Sequence, residues 1–503
     1  MIRPLQLNRF MFFLVFILVF AMASRTPLDS DMWWHIRAGK EMVQHHTILT
    51  RDFFSYTRFG EEWINHSWLS QIVLFLTFDQ GKYLGLALFT SILAALSMIT
   101  VYPQMSGHPL IRGMTIVVTC LITALVWSPR PQMFTLLFFG LTSLILYKFK
   151  KRDNHILWVL PIVFIFWSNL HGGYILGLFL MVATILGEVL DYTLLPNDTE
   201  RLPWKSVCQM FLVLVICWLI VAINPNGWRM WLIPFQTFNM DVLQKSISEW
   251  ASPNFHQIEQ QPFLWILVST LALVGLSGKR LDGVEAVKLS LFTYLALYAR
   301  RNFAPFALVV APILASHLDA LMKHWRCQVE GTIYGSNFDK TFRTIGRLNL
   351  IQPRIAKILN IGILTIVTSI SILKVYWVTR PDFVLGYERM LFPAKAVEWI
   401  KFNQPHGNIF NSYNWGGYLD WYLPEYPVFV DGRTDLYDDQ VLNEYLEVAH
   451  GDQGWNQILD KYRVNFVLIE SESLLNKTLT ASKSWELVYQ DDLAVIYVRA
   501  SPP

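Results

Sequence analysis

Apolar residues run through this chain in long blocks, separated by short polar stretches. Runs near 20 apolar residues are long enough to cross a bilayer as a helix. About eleven such segments recur, near 6–23, 82–102, 114–127, 132–148, 156–170, 173–193, 206–224, 262–277, 284–299, 302–322 and 357–378. A shorter run, 68–79, reads as an interfacial helix ahead of the second span. The stretch 10–23 has the length of a signal-peptide core. Its exit, "SRTPLDSDMWW", lacks a small-x-small cleavage context, and many spans follow, so a retained anchor helix is expected.

After residue 380 the pattern changes. Short apolar runs, "PVFVDGR" (427–433), "VNFVLIE" (464–470) and "LAVIYVR" (493–499), are strand-like and alternate with helical stretches at 393–403 and 438–461. The pattern predicts a polytopic α-helical membrane protein of about eleven transmembrane helices over residues 1–379. A small extracytoplasmic α/β domain follows over 380–503. No internal repeat or low-complexity segment is visible, and the polar linker 328–352 is expected to be loosely ordered.

Composition agrees with this reading. Of 503 residues, 53% are hydrophobic and 16% charged, where soluble proteins carry about a quarter charged. The formal net charge of +3 gives no sign of a nucleic-acid partner. No two of Cys120, Cys208, Cys217 and Cys327 fall in extracytoplasmic loops, so no disulfide framework is expected.

The distribution of charge orients the threading, because Lys and Arg collect in cytoplasmic loops. With Arg3 and Arg9 inside, Arg112, the run Lys148 to Arg152, Arg201, Lys205, Lys279 and Arg280 all fall inside. So do Lys323, Arg326, Lys340, Arg343, Arg347, Arg354 and Lys357, placing the 323–356 loop in the cytoplasm. Counting 68–79 as a full span would put "KFKKR" outside. On this threading the first outer loop is 24–81. "WSPRPQ" (127–132), "WSNLHGG" (167–173), "INPNGWR" (223–229), "SEWASPNF" (248–255), "ARRN" (299–302) and the tail share its side. Polar and charged groups beside spans usually mark function, and their convergence predicts one site at the outer boundary.

Each motif has a chemical and a plainer reading. Asp29 and Asp31, two residues apart, can hold a hard divalent cation such as Mg²⁺ or Mn²⁺ through oxygen, or one can serve as general base. Either can instead cap the helix that "MWWHIRAGKEMV" predicts. Trp33 and Trp34, beside His35, suit a sugar platform or a membrane-interface belt. Arg130, between two prolines, and the adjacent Arg300 and Arg301 are outward arginines. They can clamp a phosphate by their planar fork or snorkel to headgroups. His171 lies where a helix ends at two glycines, open to a ligand or simply satisfied there. Glu249 can complete a metal or base set. Asn224 and Asn226 mark a turn. In the tail, Trp415, Asp431, Arg433 and Asp435 lie in "NSYNWGGYLDWYLPEYPVFVDGRTDLYDDQ" (411–440), which reads as a polar, stacking surface or as a strand leading into an Asp-Gly turn.

These motifs, in this order, resemble the GT-C superfamily of membrane glycosyltransferases. "LDSDMWWHIR" looks like the acidic "FDPWFNYR"-type first loop of oligosaccharyltransferase catalytic subunits. "YNWGGYLDWYL", "PVFVDGRTDLY" and "YRVNFVLIE" are similar in order and spacing to their WWDYG block and the strands after it. The architecture covers nearly the whole chain, the motifs only small parts of it. The resemblance implies a sugar transferred from a polyprenyl-phosphate-linked donor to a glycan, lipid or protein acceptor, outside a bacterial cytoplasmic membrane, with inversion at the sugar carbon. It implies a metal-binding aspartate at Asp31, with Asp29, and a carrier-phosphate arginine at Arg301 or Arg300. The tail reads "YNWGG" and not "WWDYG", and no second-loop D-x-D is evident, which points away from asparagine-linked acceptors. Two other classes fit the composition: a non-catalytic scaffold or sensor of envelope assembly, and a lipid or sugar transporter. A transporter tends to place its charges at mid-membrane within repeats.

Overall fold

The computed structural model describes residues 7–151, 153, 155–194, 201–238, 240, 242, 244, 247–329 and 353–500. Arg3, Arg152, Lys340, Arg343, Arg347 and nearly all of the 328–352 linker lie outside these residues. Every apolar segment of the sequence is helical. They are α1 (Leu7–Ala23), α3 (Trp68–Val101), α4 (Pro109–Thr123), α5 (Gln132–Lys150), α6 (Leu160–Leu170), α7 (Tyr174–Leu194), α8 (Trp204–Ile220), α10 (Gln261–Leu276), α11 (Gly283–Tyr298), α12 (Phe303–Val329) and α13 (Pro353–Val378). Between them lie α2 (Met32–His45) and the short α9 (Ile233–Phe238). Among the described residues, 7 helical stretches are long and apolar enough to cross a membrane; 3 more are apolar but shorter.

The interfacial helix expected at 68–79 is the first half of α3. The chain bends at Lys82, whose left-handed φ of 46° breaks the helix before the long apolar half. A non-glycine residue adopts that conformation at a cost, and Lys82 lies exposed there, its ammonium 3.8 Å from Asp79. One helical core runs from α1 through α12, leaving out α2, with α7 against α11, α3 against α5 and α4 against α12.

The tail folds around a four-stranded sheet. Its strands are β1 (Asn408–Asn411), β2 (Val464–Glu470), β3 (Trp485–Gln490) and β4 (Ala494–Arg499), in the order β1-β2-β4-β3. β1 and β2 are parallel; the β2–β4 and β4–β3 pairs are antiparallel. The strands at 464–470 and 493–499 fall where alternation put them, and 393–403 contains a helix, Ala394–Asn403. The expected helix 438–461 is two, Asp439–His450 and Trp455–Lys461, because Gly451 and Gly454 both take positive φ.

One expected strand departs from the ladder. Within residues 427–433 Val428, Phe429 and Val430 are buried, but the segment joins no named strand. On one side the amide of Asn411 substitutes for a neighbouring strand: its Oδ1 accepts from Phe429 N (2.8 Å) and its Nδ2 donates to Val430 O (2.8 Å). On the other, Val428 pairs with the first loop, through Val428 N to Phe54 O (2.9 Å) and Tyr56 N to Val428 O (3.1 Å). The loop after α1 and the tail are therefore one folded unit. A shared core joins Met32, Trp33 and Ile36 of α2 to Trp415, Tyr418 and Val428.

Candidate active site

The site begins where α1 ends. The backbone N–H of Asp31 donates to Asp29 Oδ1 (2.9 Å) in a tight turn. Asp31 holds the N-cap position of α2, yet its side chain makes no capping bond. Instead Asp31 Oδ2 lies 2.8 Å from Arg130 Nη2. Arg130 stands between Pro129 and Pro131, and its backbone N–H closes a turn onto Ser128 O (2.7 Å), so the root of the side chain is fixed. Glu249 Oε1 meets Nη1 at 3.0 Å and Asp29 Oδ1 approaches Nε at 3.8 Å. Three carboxylates thus address three nitrogens of one guanidinium.

The electrostatics follow from this crowding. Burial pushes the Asp31 carboxyl up; Arg130 opposes the rise and the charges of Asp29 and Glu249 add to it, leaving it at about 7. Arg130 pulls Glu249 down instead, with Arg301 and Arg300 in support. One aspartate is thereby poised to exchange a proton near neutral pH, beside a glutamate held ionised.

Arg300 and Arg301 reach the same place through the backbone. The turn between α11 and α12 pairs with the "SEW" loop, Arg301 N donating to Glu249 O (3.0 Å) and Arg300 N to Ala251 O (3.1 Å). The Arg301 guanidinium stacks 3.9 Å from the centre of the Trp250 ring. Both arginines, with Glu249, Ser248 and His171, rim a cavity of about 200 Å³ whose deeper wall is apolar, including Leu136, Phe139 and Leu308. A charged mouth over a greasy wall suits an amphipathic ligand with an anionic head.

His171 enters this cavity in a defined form. Its Nδ1 accepts from Gly173 N (3.1 Å). Since Nδ1 is thereby unprotonated, Thr135 Oγ1 donates to it (2.7 Å) while accepting from Trp167 Nε1 (2.9 Å). The ring proton is left on Nε2. Burial, with the charges of His66, Arg301 and Arg130, holds the imidazole neutral, well below the usual histidine range. Asn224 contributes as a turn residue: its amide donates to Ser168 O (2.9 Å) and its Oδ1 accepts from Asn226 N (2.9 Å).

Other sequence candidates lie around the site and do not line the cavity. Trp33 is fully buried among Phe78, Phe392, Tyr418, Trp421 and Tyr422. Trp34 is buried against His35, with ring centroids 3.5 Å apart. His35 is itself buried, and burial with Arg130, His171 and His66 keeps it well below its ordinary range. Trp415 is buried, its Nε1 donating to Leu391 O (3.1 Å). Asp431 and Arg433 are fully enclosed and pair with each other. Asp435 sits 3.5 Å from His66 Nδ1 at the edge. His66, Thr135, Trp250 and Asp52 went unremarked in the sequence; only "NHSW", a histidine beside a helix start, gave any local sign.

Glycine is required where the tail meets Asp31. A Cβ on Gly432 would lie 2.0 Å from Asp31 Oδ1 and 2.9 Å from Trp34 Nε1; one on Gly417 would lie 2.7 Å from Ser30 O. Gly432→Ala is expected to fold but to melt below the unsubstituted chain, because the added methyl must displace Asp31 or Trp34. Thermal melting checks this; an unchanged melting temperature would show that the tail yields at Gly432 without cost.

The divalent ion expected at Asp29 and Asp31 does not fit this donor set. The carboxylates already converge on Arg130, and among the described residues no group of three His, Cys, Asp or Glu side chains could hold a metal.

Helices, tail sheet and the loop-borne site between them define a polytopic membrane protein with the GT-C fold. The fold is shared with two proteins of solved structure. ArnT from Cupriavidus metallidurans in the apo state is 12% identical with a TM-score of 0.50, the match covering 96% of this chain and 95% of that one. The apo oligosaccharyltransferase of Archaeoglobus fulgidus is 10% identical with a TM-score of 0.50, covering 91% of this chain and 69% of that one. The same enzyme tethered by a disulfide to an acceptor peptide with the NVT sequon gives 12%, 0.50, 97% and 74%. No protein-family model and no curated protein matches the chain.

Proposed function

We propose that this chain is a glycosyltransferase that takes a sugar from a polyprenyl-phosphate-linked donor and passes it to a glycan, lipid or protein hydroxyl on the outer face of a bacterial cytoplasmic membrane. One arrangement carries the reading: a partly buried aspartate, its carboxyl pushed up to about 7, joined through Arg130 and Glu249 to a cavity with an arginine-rimmed mouth and an apolar wall. The likeness in fold to ArnT and to an oligosaccharyltransferase supports it. Arg300, Arg301 and the Nε2–H of His171 hold the donor phosphate, and the polyprenyl chain lies along the apolar wall. Asp31 takes the proton of the acceptor hydroxyl as its oxygen attacks the sugar carbon. The bond to the phosphate oxygen breaks with inversion, and polyprenyl phosphate leaves with the electron pair, its charge met by the arginines.

The test is incubation of the purified chain with a panel of polyprenyl-phosphate sugars and acceptors, following release of free polyprenyl phosphate. One donor is expected to be consumed. Silence across the panel, from protein that still binds the lipid, would sink the reading.

The pH profile is a sharper check. Asp31 works as base only when ionised, so kcat/KM should rise with pH through about 7. Glu249→Gln removes a negative charge that raises the Asp31 pKa, so its midpoint should move to lower pH. A wild-type profile flat from about pH 5 to 8 would exclude Asp31 as the titrating base.

A further inference from the structure

We infer that Arg130 takes the place of a divalent cation in this site, so that the chain neither binds nor needs one there. The transferase reading supplies what this charge is for; the placement stands on geometry alone. Asp31 Oδ2, Glu249 Oε1 and Asp29 Oδ1 are directed at Nη2, Nη1 and Nε of one guanidinium, at 2.8, 3.0 and 3.8 Å. A Mg²⁺ or Mn²⁺ ion using these carboxylates needs their oxygens about 2.1 Å from one centre. That centre is the space the guanidinium fills.

Arg130 cannot easily vacate it. Its backbone is pinned between Pro129 and Pro131, with Ser128 O and Met133 N bonded to its own N–H and carbonyl at 2.7 and 3.2 Å. The balance of charge points the same way. Glu249 feels Arg130, Arg301 and Arg300 together, so a dication there would add charge beside three guanidiniums. A phosphodiester bearing one negative charge needs no more cation than the site already holds. Arg130 is thus a positioning residue: it orients Asp31, keeps the carboxylate cluster together and does not line the cavity.

The experiment is Mn²⁺ binding to the detergent-solubilised full chain, read by the paramagnetic resonance of free Mn²⁺. Wild type is expected to bind none at the site. Arg130→Ala, which leaves three carboxylates around an emptied space, should bind Mn²⁺ roughly tenfold or more tightly than wild type, and Asp31→Asn added to it should abolish the gain. Arg130→Lys, which keeps a cation in place, should gain nothing. Should Arg130→Ala fail to fold, Arg130→Gln carries the same expectation. Wild-type Mn²⁺ binding lost in Asp31→Asn would overturn the inference, and so would an arginine-less variant that binds no better than wild type. Donor turnover, where found, should persist in EDTA; turnover abolished by EDTA and restored by Mn²⁺ would also overturn it. If no donor is consumed while the Mn²⁺ pattern holds, the transferase reading fails and the role of Arg130 stands.

Discussion

Asp31→Asn is expected to consume donor about 10²- to 10⁴-fold more slowly than wild type, the usual contribution of a positioned general base, at unchanged expression and thermal stability. The substitution is close to isosteric. Asparagine is as good an N-cap residue as aspartate, so the start of α2 is undisturbed, and its carbonyl oxygen can still accept from Arg130. Only the charge and the proton-accepting capacity go. Asp29→Asn supplies the contrast. Asp29 lies farther from Arg130, at 3.8 Å, and its carboxylate oxygen serves the turn by accepting from Asp31 N, a bond that the asparagine oxygen reproduces. Its turnover should fall only a few-fold. Measuring free carrier released by both variants, alongside melting curves, separates the two aspartates. Equal and small losses would remove Asp31 from the chemistry and favour a non-catalytic envelope component with the same fold.

The helical segments were legible because a membrane span is a local property: length and apolar content are written in consecutive residues. The convergence of "LDSD", "SPRP", "SEW" and "ARRN" was legible for a related reason, since counting spans and basic loops assigns them to one side. The particular pairings were not. Nothing in "SPRP" says that Arg130 faces three carboxylates, because that depends on Glu249 arriving from a loop 119 residues away. Residues 427–433 hold a short apolar run that reads as a ladder strand, yet a side-chain amide and the first loop supply their partners. Trp33 and Trp34 look alike in sequence as interfacial or sugar-facing rings. They are buried instead, because the tail packs over α2. Local pattern predicts elements well; which polar group meets which is decided by tertiary packing.

The joint between first loop and tail should be the weak point of the molecule when Arg433 is lost. Arg433 is fully buried. Its Nε and Nη2 fork onto Asp431 at 2.9 and 2.6 Å, and its Nη1 reaches Asp52 at 2.6 Å, 381 residues away in sequence. The rings of Phe54 and Trp63 lie 4.7 and 4.9 Å from the guanidinium. Asp420 stands nearby, its carboxyl driven well up by burial and then by Asp431. Arg433→Ala strips the cation from two enclosed carboxylates, and breaking such a buried network costs about 3–5 kcal/mol. Arg433→Lys should fall between, since a lysine cannot reproduce the two-pronged contact. The penalty comes from uncompensated charge and not from lost attraction, so Asp52→Asn with Asp431→Asn in the Arg433→Met background should recover much of it. Because Gly432 rests on Asp31, Arg433→Ala should also lose donor turnover, whereas the charge-free triple variant should regain stability and turnover together. Thermal melting and carrier release across the series test the linkage. An Arg433→Ala protein that melts like wild type would mean that the joint is held by the apolar core of α2 and the tail alone, and that the ion triad contributes specificity without stability.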